Sequence, residues 1–240
     1  IVNDTIYGGT KNDTIYGNTG DDTIAPGLGD DTVDGEAGND TVSYSNLAVS
    51  NLGAGVVVDL TAQSATGSGN DTLKSIENII GSDFRDTLIG SIDINTIHGG
   101  AGNDTIYGIG GENTLYGGTG VDVIYAATTK TGTERGDVVF GGQGIDTLIG
   151  SFHKDFLIGG EQNGYDVETD WIDYSNIVLG TNDYGISVNL QQTINFITDN
   201  TDRTYLNGNY SQVFRLDANG TNTLNFDYIS QIENITGSSG

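Results

Sequence analysis

The hydrophobic pattern of this chain has a period of nine. Residues 8–16 read GGTKNDTIY, followed by GNTGDDTIA at 17–25, PGLGDDTVD at 26–34 and GEAGNDTVS at 35–43. The eighth place of each unit is apolar (Ile15, Ile24, Val33, Val42) and the sixth is acidic (Asp13, Asp22, Asp31, Asp40). Residues 1–7 end an earlier unit, with Asp4 and Ile6 in register. A second array at 81–125 reads GSDFRDTLI, GSIDINTIH, GGAGNDTIY, GIGGENTLY and GGTGVDVIY. An insertion, 126–131, precedes GTERGDVVF at 132–140, GGQGIDTLI at 141–149 and GSFHKDFLI at 150–158.

Each unit has two halves. The first half is rich in Gly, Asn and Asp, which tolerate positive φ and make turns. The last three places, Thr-Ile-Tyr or similar, are β-prone with an apolar residue in the middle. Alternation along a strand turns that residue to one face and its neighbours to the other. So short a strand is not stable alone. Units must stack and share a continuous core, which is the logic of a solenoid. Two successive nonapeptides make one coil: strand, turn, strand, turn. The predicted fold is all-β, a parallel β-roll (β-solenoid) of two short-strand sheets.

A longer repeat overlies the short one. DTVSYS at 40–45 matches DWIDYS at 170–175, GVVVDL at 55–60 resembles GISVNL at 185–190, and SIENIIGS at 75–82 resembles QIENITGS at 231–238. The order is array, spacer, array, spacer. We read a first array at 1–43, then a spacer at 44–80 continuing the roll with longer strands. A second array at 81–173 carries the insertion at 126–131. A longer spacer follows at 174–236, and 237–240 starts a truncated third array. The chain reads as a monomeric internal fragment of a larger protein.

Composition removes several alternatives. Acidic residues outnumber basic ones 33 to 8, giving a net charge of −25, so no basic patch exists for nucleic acid. Cysteine is absent, which excludes disulfides and cysteine-based metal sites. No apolar run approaches the ~18 residues of a membrane span. Glycine makes up 38 of 240 residues, against a usual ~7%. Low hydrophobicity with high charge would by itself suggest disorder; the periodic placement argues for a fold instead.

The repeated aspartate has two readings. Asp forms Asx-turns, and in a lone Gly-Asp loop that reading would prevail. Here carboxylates stack along one edge of a roll, where like charges repel and a divalent cation relieves the repulsion. Calcium is a hard ion that takes roughly six to eight oxygens. Tight Gly-rich turns expose backbone carbonyls beside each carboxylate. Turns on one edge recur at every second unit, so the ion lies between units i and i+2.

GGAGNDTIY at 99–107 and GGQGIDTLI at 141–149 match the nonapeptide GGxGxDxUx in full, and about 14 units match in part. In these residues the chain resembles the RTX, or haemolysin-type calcium-binding, family. That resemblance implies Ca2+ in several turns. It implies that the carbonyls of positions 2 and 4 and the position-6 Asp of one unit join those of positions 1 and 3 and the position-6 Asp of the next coil. Carried over, one site takes Gly9, Lys11 and Asp13 with Pro26, Leu28 and Asp31. A second takes Asn18, Gly20 and Asp22 with Gly35, Ala37 and Asp40. A third takes Gly100, Gly102 and Asp104 with Gly117, Thr119 and Asp122. A fourth takes Ser82, Phe84 and Asp86 with Gly99, Ala101 and Asp104. A fifth takes Gly118, Gly120 and Asp122 with Gly141, Gln143 and Asp146. Asp137 pairs with Asp155, although Arg135 and Phe152 replace small turn residues there, and Asp4 shares an ion with Asp22. Asn95 and Asn113 break the pattern, and their site is expected weak or empty.

Other features point away from catalysis. His98 and His153 are the only histidines and neither belongs to HExxH; no GxSxG is present. The chain is therefore expected not to be an enzyme. Tyr107 and Tyr125 fall two units apart at position 9, which predicts cross-strand aromatic packing. The Thr row at position 7 suits exposed strands, with ice binding as its alternative. Trp171 takes an outward position and covers the end of an array. The resemblance implies a calcium-binding module, secreted or at the cell surface, that folds outside the cell and supports type I secretion of a larger protein. Two alternatives stand beside it. One is an adhesin segment binding a protein or glycan partner through the second spacer, which holds Arg203, Arg215, Tyr205, Tyr210 and Phe214. The other is an accessory domain of a secreted enzyme.

Overall fold

The computed structural model describes residues 2–47, 55–126, 136–151 and 155–160. Beyond these it describes the backbone of the strands Trp171–Asp173, Asp183–Val188, Ser211–Asp217, Asn222–Ser230 and Asn234–Thr236. The side chains of Trp171, Phe214 and Arg215 lie outside the described residues. So do Phe152, His153, Arg203, Tyr205, Tyr210 and the stretches 127–135 and 237–240.

Each Thr-Ile-Tyr-like triplet is a strand: Thr14–Tyr16, Thr32–Asp34, Thr87–Ile89, Thr105–Tyr107 and their counterparts. Strands two units apart pair in parallel and in register. Thr87, Leu88 and Ile89 face Thr105, Ile106 and Tyr107, and these face Val123, Ile124 and Tyr125. Where the insertion lengthens one coil, the register skips it cleanly, with Thr114 opposite Val138 and Leu115 opposite Val139. The described strands form two sheets of eleven, and successive units alternate between them. This is the parallel β-roll expected from the period. No helix among the described residues is long and apolar enough to cross a membrane.

The core is one file of apolar side chains between the sheets. Ile24, Val33, Val42, Leu88, Ile97, Ile106, Leu115, Ile124, Val139, Leu148 and Leu157 are completely buried. All of them occupy the eighth place of a unit. Burying such a side chain is worth about 1.5–3 kcal/mol, and each coil contributes only two. Hydrophobic burial per residue is thus thin, and the turns must not oppose it.

The spacer at 44–80 does not run as longer strands. Val57–Asp59, Ser64–Thr66 and Asn70–Lys74 form an antiparallel meander inserted in one sheet, in the order Thr32–Asp34, Asn70–Lys74, Ser64–Thr66, Val57–Asp59, Thr87–Ile89. The chain runs ahead, turns back, and only then resumes the roll at Asn78–Ile80. The first strand stops early because the Asp59 carboxylate accepts from Thr61 Oγ1 (2.6 Å) and Ala62 N (2.9 Å), which closes a turn. The second spacer repeats this plan on the other sheet. Asn222–Ser230 pairs with Phe156–Ile158 and leads antiparallel to Ser211–Asp217 and Asp183–Val188, while Asn234–Thr236 pairs with Trp171–Asp173.

Candidate metal centres

Two ladders of sixth-place side chains run along the roll, one at the entry to each sheet. In both, the backbone N–H of one aspartate donates to Oδ1 of the aspartate one coil on. The distances are Asp4 to Asp22 2.7 Å, Asp13 to Asp31 2.8 Å, Asp22 to Asp40 2.8 Å, Asp86 to Asp104 2.8 Å, Asp104 to Asp122 2.8 Å, Asp122 to Asp146 2.9 Å and Asp137 to Asp155 2.9 Å. Every aspartate pair expected from the sequence is therefore brought together. From Asp22 onward these carboxylates are buried; Asp4 is exposed and Asp13 half-buried.

The second carboxylate oxygen separates two kinds of turn. Oδ2 of Asp22, Asp31, Asp40, Asp104 and Asp122 is buried and receives no hydrogen bond. An unmet buried acceptor costs about 1–3 kcal/mol, and more when charged. Carbonyls converge on the same space. A Cβ placed on Gly17 would lie 2.6 Å from Asp22 Oδ2 and 2.7 Å from Gly35 O of the next coil. One on Gly99 would meet Asp104 Oδ2 at 2.6 Å and collide with Gly117 O; one on Gly117 would meet Asp122 Oδ2 at 2.5 Å and collide with Gly141 O. The turn backbone is held open by positive φ at positions 2 and 4, as at Gly100 (φ 110) and Gly102 (φ 125). Neighbouring turns are already knit together, with Leu28 N donating to Gly9 O (2.8 Å), Ala37 N to Asn18 O (3.0 Å), Gly20 N to Ala37 O (3.1 Å), Gly102 N to Thr119 O (2.9 Å) and Gly120 N to Gln143 O (2.7 Å). Each such carbonyl keeps a second lone pair for an ion. No three Asp, Glu or His side chains converge on one point among the described residues. An ion between coils would thus draw on two carboxylates and on backbone oxygens, a donor set suited to a hard cation.

The other kind of turn opens with Gly-Ser and supplies its own donors to the sixth-place side chain. Ser82 N and Oγ donate to Asp86 Oδ2 (2.5 Å) and Oδ1 (2.7 Å). Ser91 N donates to Asn95 Oδ1 (2.6 Å) and Ser151 N to Asp155 Oδ2 (2.7 Å). Position 2 in these turns does not take positive φ. The fourth expected site, built on Ser82, Phe84 and Asp86, is therefore closed on one side by its own serine. Asn113 closes its turn differently. Its Nδ2 donates to Gly108 O (3.1 Å) and Gly110 O (2.7 Å), the carbonyls of positions 1 and 3. Amide hydrogens stand there where other turns leave a carboxylate oxygen unmet.

Two ladder members escape the nonapeptide pattern. Asp71 takes the sixth place above Asp31, accepting from Asp31 N (3.0 Å), and its Oδ2 is capped by the Tyr44 hydroxyl (2.8 Å). Glu77 accepts from Asp40 N at 2.8 Å. A sequence signal for Asp71 does exist, since Asn70-Asp71-Thr72 repeats the NDT of the arrays inside the spacer.

Burial, with Asp86 and Asp122 alongside, pushes the Asp104 carboxyl up to about 8; burial pushes Asp122 up to about 6. Asp31, Asp40 and Asp86 shift the same way, chiefly through burial. The folded chain without metal thus binds more protons than the unfolded chain, whose aspartates titrate near the ordinary 3.8. This contribution is full below the unfolded value and is lost as pH rises through the folded values. With calcium chelated, the far-UV β-sheet signal should grow as pH is lowered from about 8 towards about 4. A signal that is flat or falls over that window would contradict the buried-carboxylate picture.

On the outer faces Tyr107 stacks on Tyr125 (4.6 Å between ring centres), and His98 and Phe140 stack on either side of Tyr116 (4.4 and 5.0 Å). The Tyr pairing follows the two-unit coil. His98 is engaged in ring packing, and burial lowers its pKa.

A family model described as the RTX calcium-binding nonapeptide repeat (4 copies) matches residues 2–33, 27–45, 80–114, 107–127 and 131–165, together more than half of the chain. No curated protein matches the chain.

Proposed function

The chain belongs to the RTX calcium-binding nonapeptide repeat family, and from that premise we propose that it is a calcium-dependent folding module of a secreted or surface protein. The observation that carries this reading is the set of buried, unmet Oδ2 oxygens on Asp22, Asp31, Asp40, Asp104 and Asp122, those of Asp22, Asp40, Asp104 and Asp122 lying beside a carbonyl of the next coil. The steps Asp13–Asp31, Asp22–Asp40, Asp104–Asp122 and Asp122–Asp146 take calcium first. The turns of Asp86 and Asp155 hold it more weakly, because Ser82 and Ser151 already donate to their carboxylates. The Asn95–Asn113 step takes none. Calcium at the unmet oxygens supplies positive charge and occupies positions that no protein donor reaches.

A chain of charge −25 resists compaction by self-repulsion. Inside a cell, where free calcium is scarce, it stays extended and can be exported. Outside, calcium binding supplies the free energy of folding. The module does structural work and carries no catalysis of its own. Equilibrium dialysis of the chain against calcium tests the reading. We expect uptake of several ions, with dissociation constants on the order of 10⁻⁴–10⁻³ M, as in extracellular modules. Magnesium should not substitute, since it demands octahedral geometry and keeps its waters. A chain that takes up no calcium in this range overturns the proposal.

A further inference from the structure

The ladder that begins at Asp4 leaves the first array at Asp40 and meets the spacer at Glu77. Asp40 is completely buried; its Oδ1 accepts from Asp22 N, and its Oδ2 receives no hydrogen bond. On the next coil Glu77 does what an aspartate does elsewhere, accepting from Asp40 N at 2.8 Å. The same oxygens converge as in the repeat turns. A Cβ on Gly35 would lie 2.5 Å from Asp40 Oδ2 and collide with Ser75 O, as one on Gly99 would with Asp104 Oδ2 and Gly117 O. Ser75 holds this place with φ 51, and Glu36, at position 2 of its turn, has φ 67 as Gly100 has φ 110 at position 2 of its own. Both lie in the left-handed region that costs a side-chain-bearing residue energy unless the surroundings require it.

We propose that Asp40 and Glu77, with the carbonyl of Ser75, form a calcium site that fastens the 44–80 spacer to the first array. The inference rests on the calcium reading above, and adds a ligand that no nonapeptide supplies. Glutamate is one methylene longer than aspartate, which lets residue 77 reach the ladder although the chain arrives there through Ser75-Ile76 rather than through a Gly-rich turn. Beyond Glu77 the ladder continues without charge, as Asn95 Nδ2 donates to Glu77 O at 2.7 Å. The ion is therefore the last on this edge before the Asn95–Asn113 step. Calcium would then report the docking of the spacer as well as the folding of the arrays.

The test is Glu77→Gln in the full chain, which keeps an acceptor for Asp40 N and removes the charge. By equilibrium dialysis it should bind one calcium fewer than wild type at a concentration that saturates wild type. Hydrogen exchange in residues 70–80 should lose its calcium-induced protection, while residues 99–125 keep theirs. Unchanged stoichiometry and affinity overturn the inference and leave the calcium reading intact; a wild type that binds no calcium overturns the calcium reading itself. If the variant does not fold, the wild-type chain still decides. A crystal structure of the calcium-loaded wild type should place an ion at about 2.3–2.6 Å from carboxylate oxygens of both Asp40 and Glu77, and calcium in the other turns with none there would overturn the site.

Discussion

Chelating calcium at neutral pH should convert the far-UV circular dichroism of this chain from β-sheet to mostly coil, and restoring about 1–10 mM calcium should bring the sheet signal back. The loss follows from the small stabilisation each coil gets from two buried apolar residues, set against carboxylates stacked one coil apart. Strands in a sheet lie about 4.8 Å apart, so unneutralised neighbours repel strongly in a buried setting. The collapse should be uneven. Asp71 is capped by Tyr44, Asp86 by Ser82, Asn95 by Ser91, and Asn113 by its own amide hydrogens on two carbonyls. Two of these, Asp86 and Asn95, lie together between residues 81 and 98, with the unmet oxygens of Asp22, Asp31 and Asp40 before that stretch and those of Asp104 and Asp122 after it. Any amide protection that survives in chelator should map to 81–98. A chelated chain with full β signal and cooperative melting would end the coupling of folding to calcium, and protection confined to residues 1–43 would end the account of the self-capped joints.

The roll itself is legible in the sequence because one side chain per unit decides each feature. Ile106 is apolar between Thr105 and Tyr107, so its strand faces the core; Asp104 precedes it by two, so its carboxylate enters the ladder. A period of nine then fixes the register, and the pairing of Tyr107 with Tyr125 one coil on follows. The spacers are less legible because their geometry is set by contacts distant in sequence. Nothing local to Val57–Asp59 says that it pairs with Thr87–Ile89, or that the chain must double back through Ser64–Thr66 to reach Thr32–Asp34. The resemblance to a ligand pattern also conceals differences between turns. Gly81-Ser82 and Gly99-Gly100 both begin a unit, yet the serine turns its N–H onto Asp86 and Gly100 turns away with φ 110. Glu77 is hidden by its residue type, since the pattern seeks aspartate at nine-residue steps.

Replacing Asp104 should separate the charge of the ladder from its hydrogen bond. Asp104 is shared between two coil steps: its Oδ1 accepts from Asp86 N, and its own N–H donates to Asp122 Oδ1. Its Oδ2 is buried without a donor, and burial holds its carboxyl at about 8. Asp104→Ala removes a ligand from two ions and strands the buried Asp86 N–H, a loss of about 1–3 kcal/mol before any calcium is considered. Asp104→Asn keeps the acceptor and removes the charge that Asp86 and Asp122 oppose. Its amide hydrogens can then donate to Gly99 O and Ala101 O, as those of Asn113 donate to Gly108 O and Gly110 O. In calcium, both variants should fold less stably than wild type and need more calcium to reach their midpoint. In chelator the order should split, with Asp104→Asn keeping more β-sheet signal than wild type and Asp104→Ala less. Asp155→Ala, at a carboxylate that Ser151 already caps, should move the calcium midpoint least. Urea titrations of the three variants in calcium, calcium titrations of each, and circular dichroism in chelator read the whole pattern. If Asp104→Asn is as weak as Asp104→Ala in chelator, the carboxylate's charge is not what opposes folding. If neither substitution at Asp104 moves the calcium midpoint, the aspartate is a turn residue and calcium does not bind there.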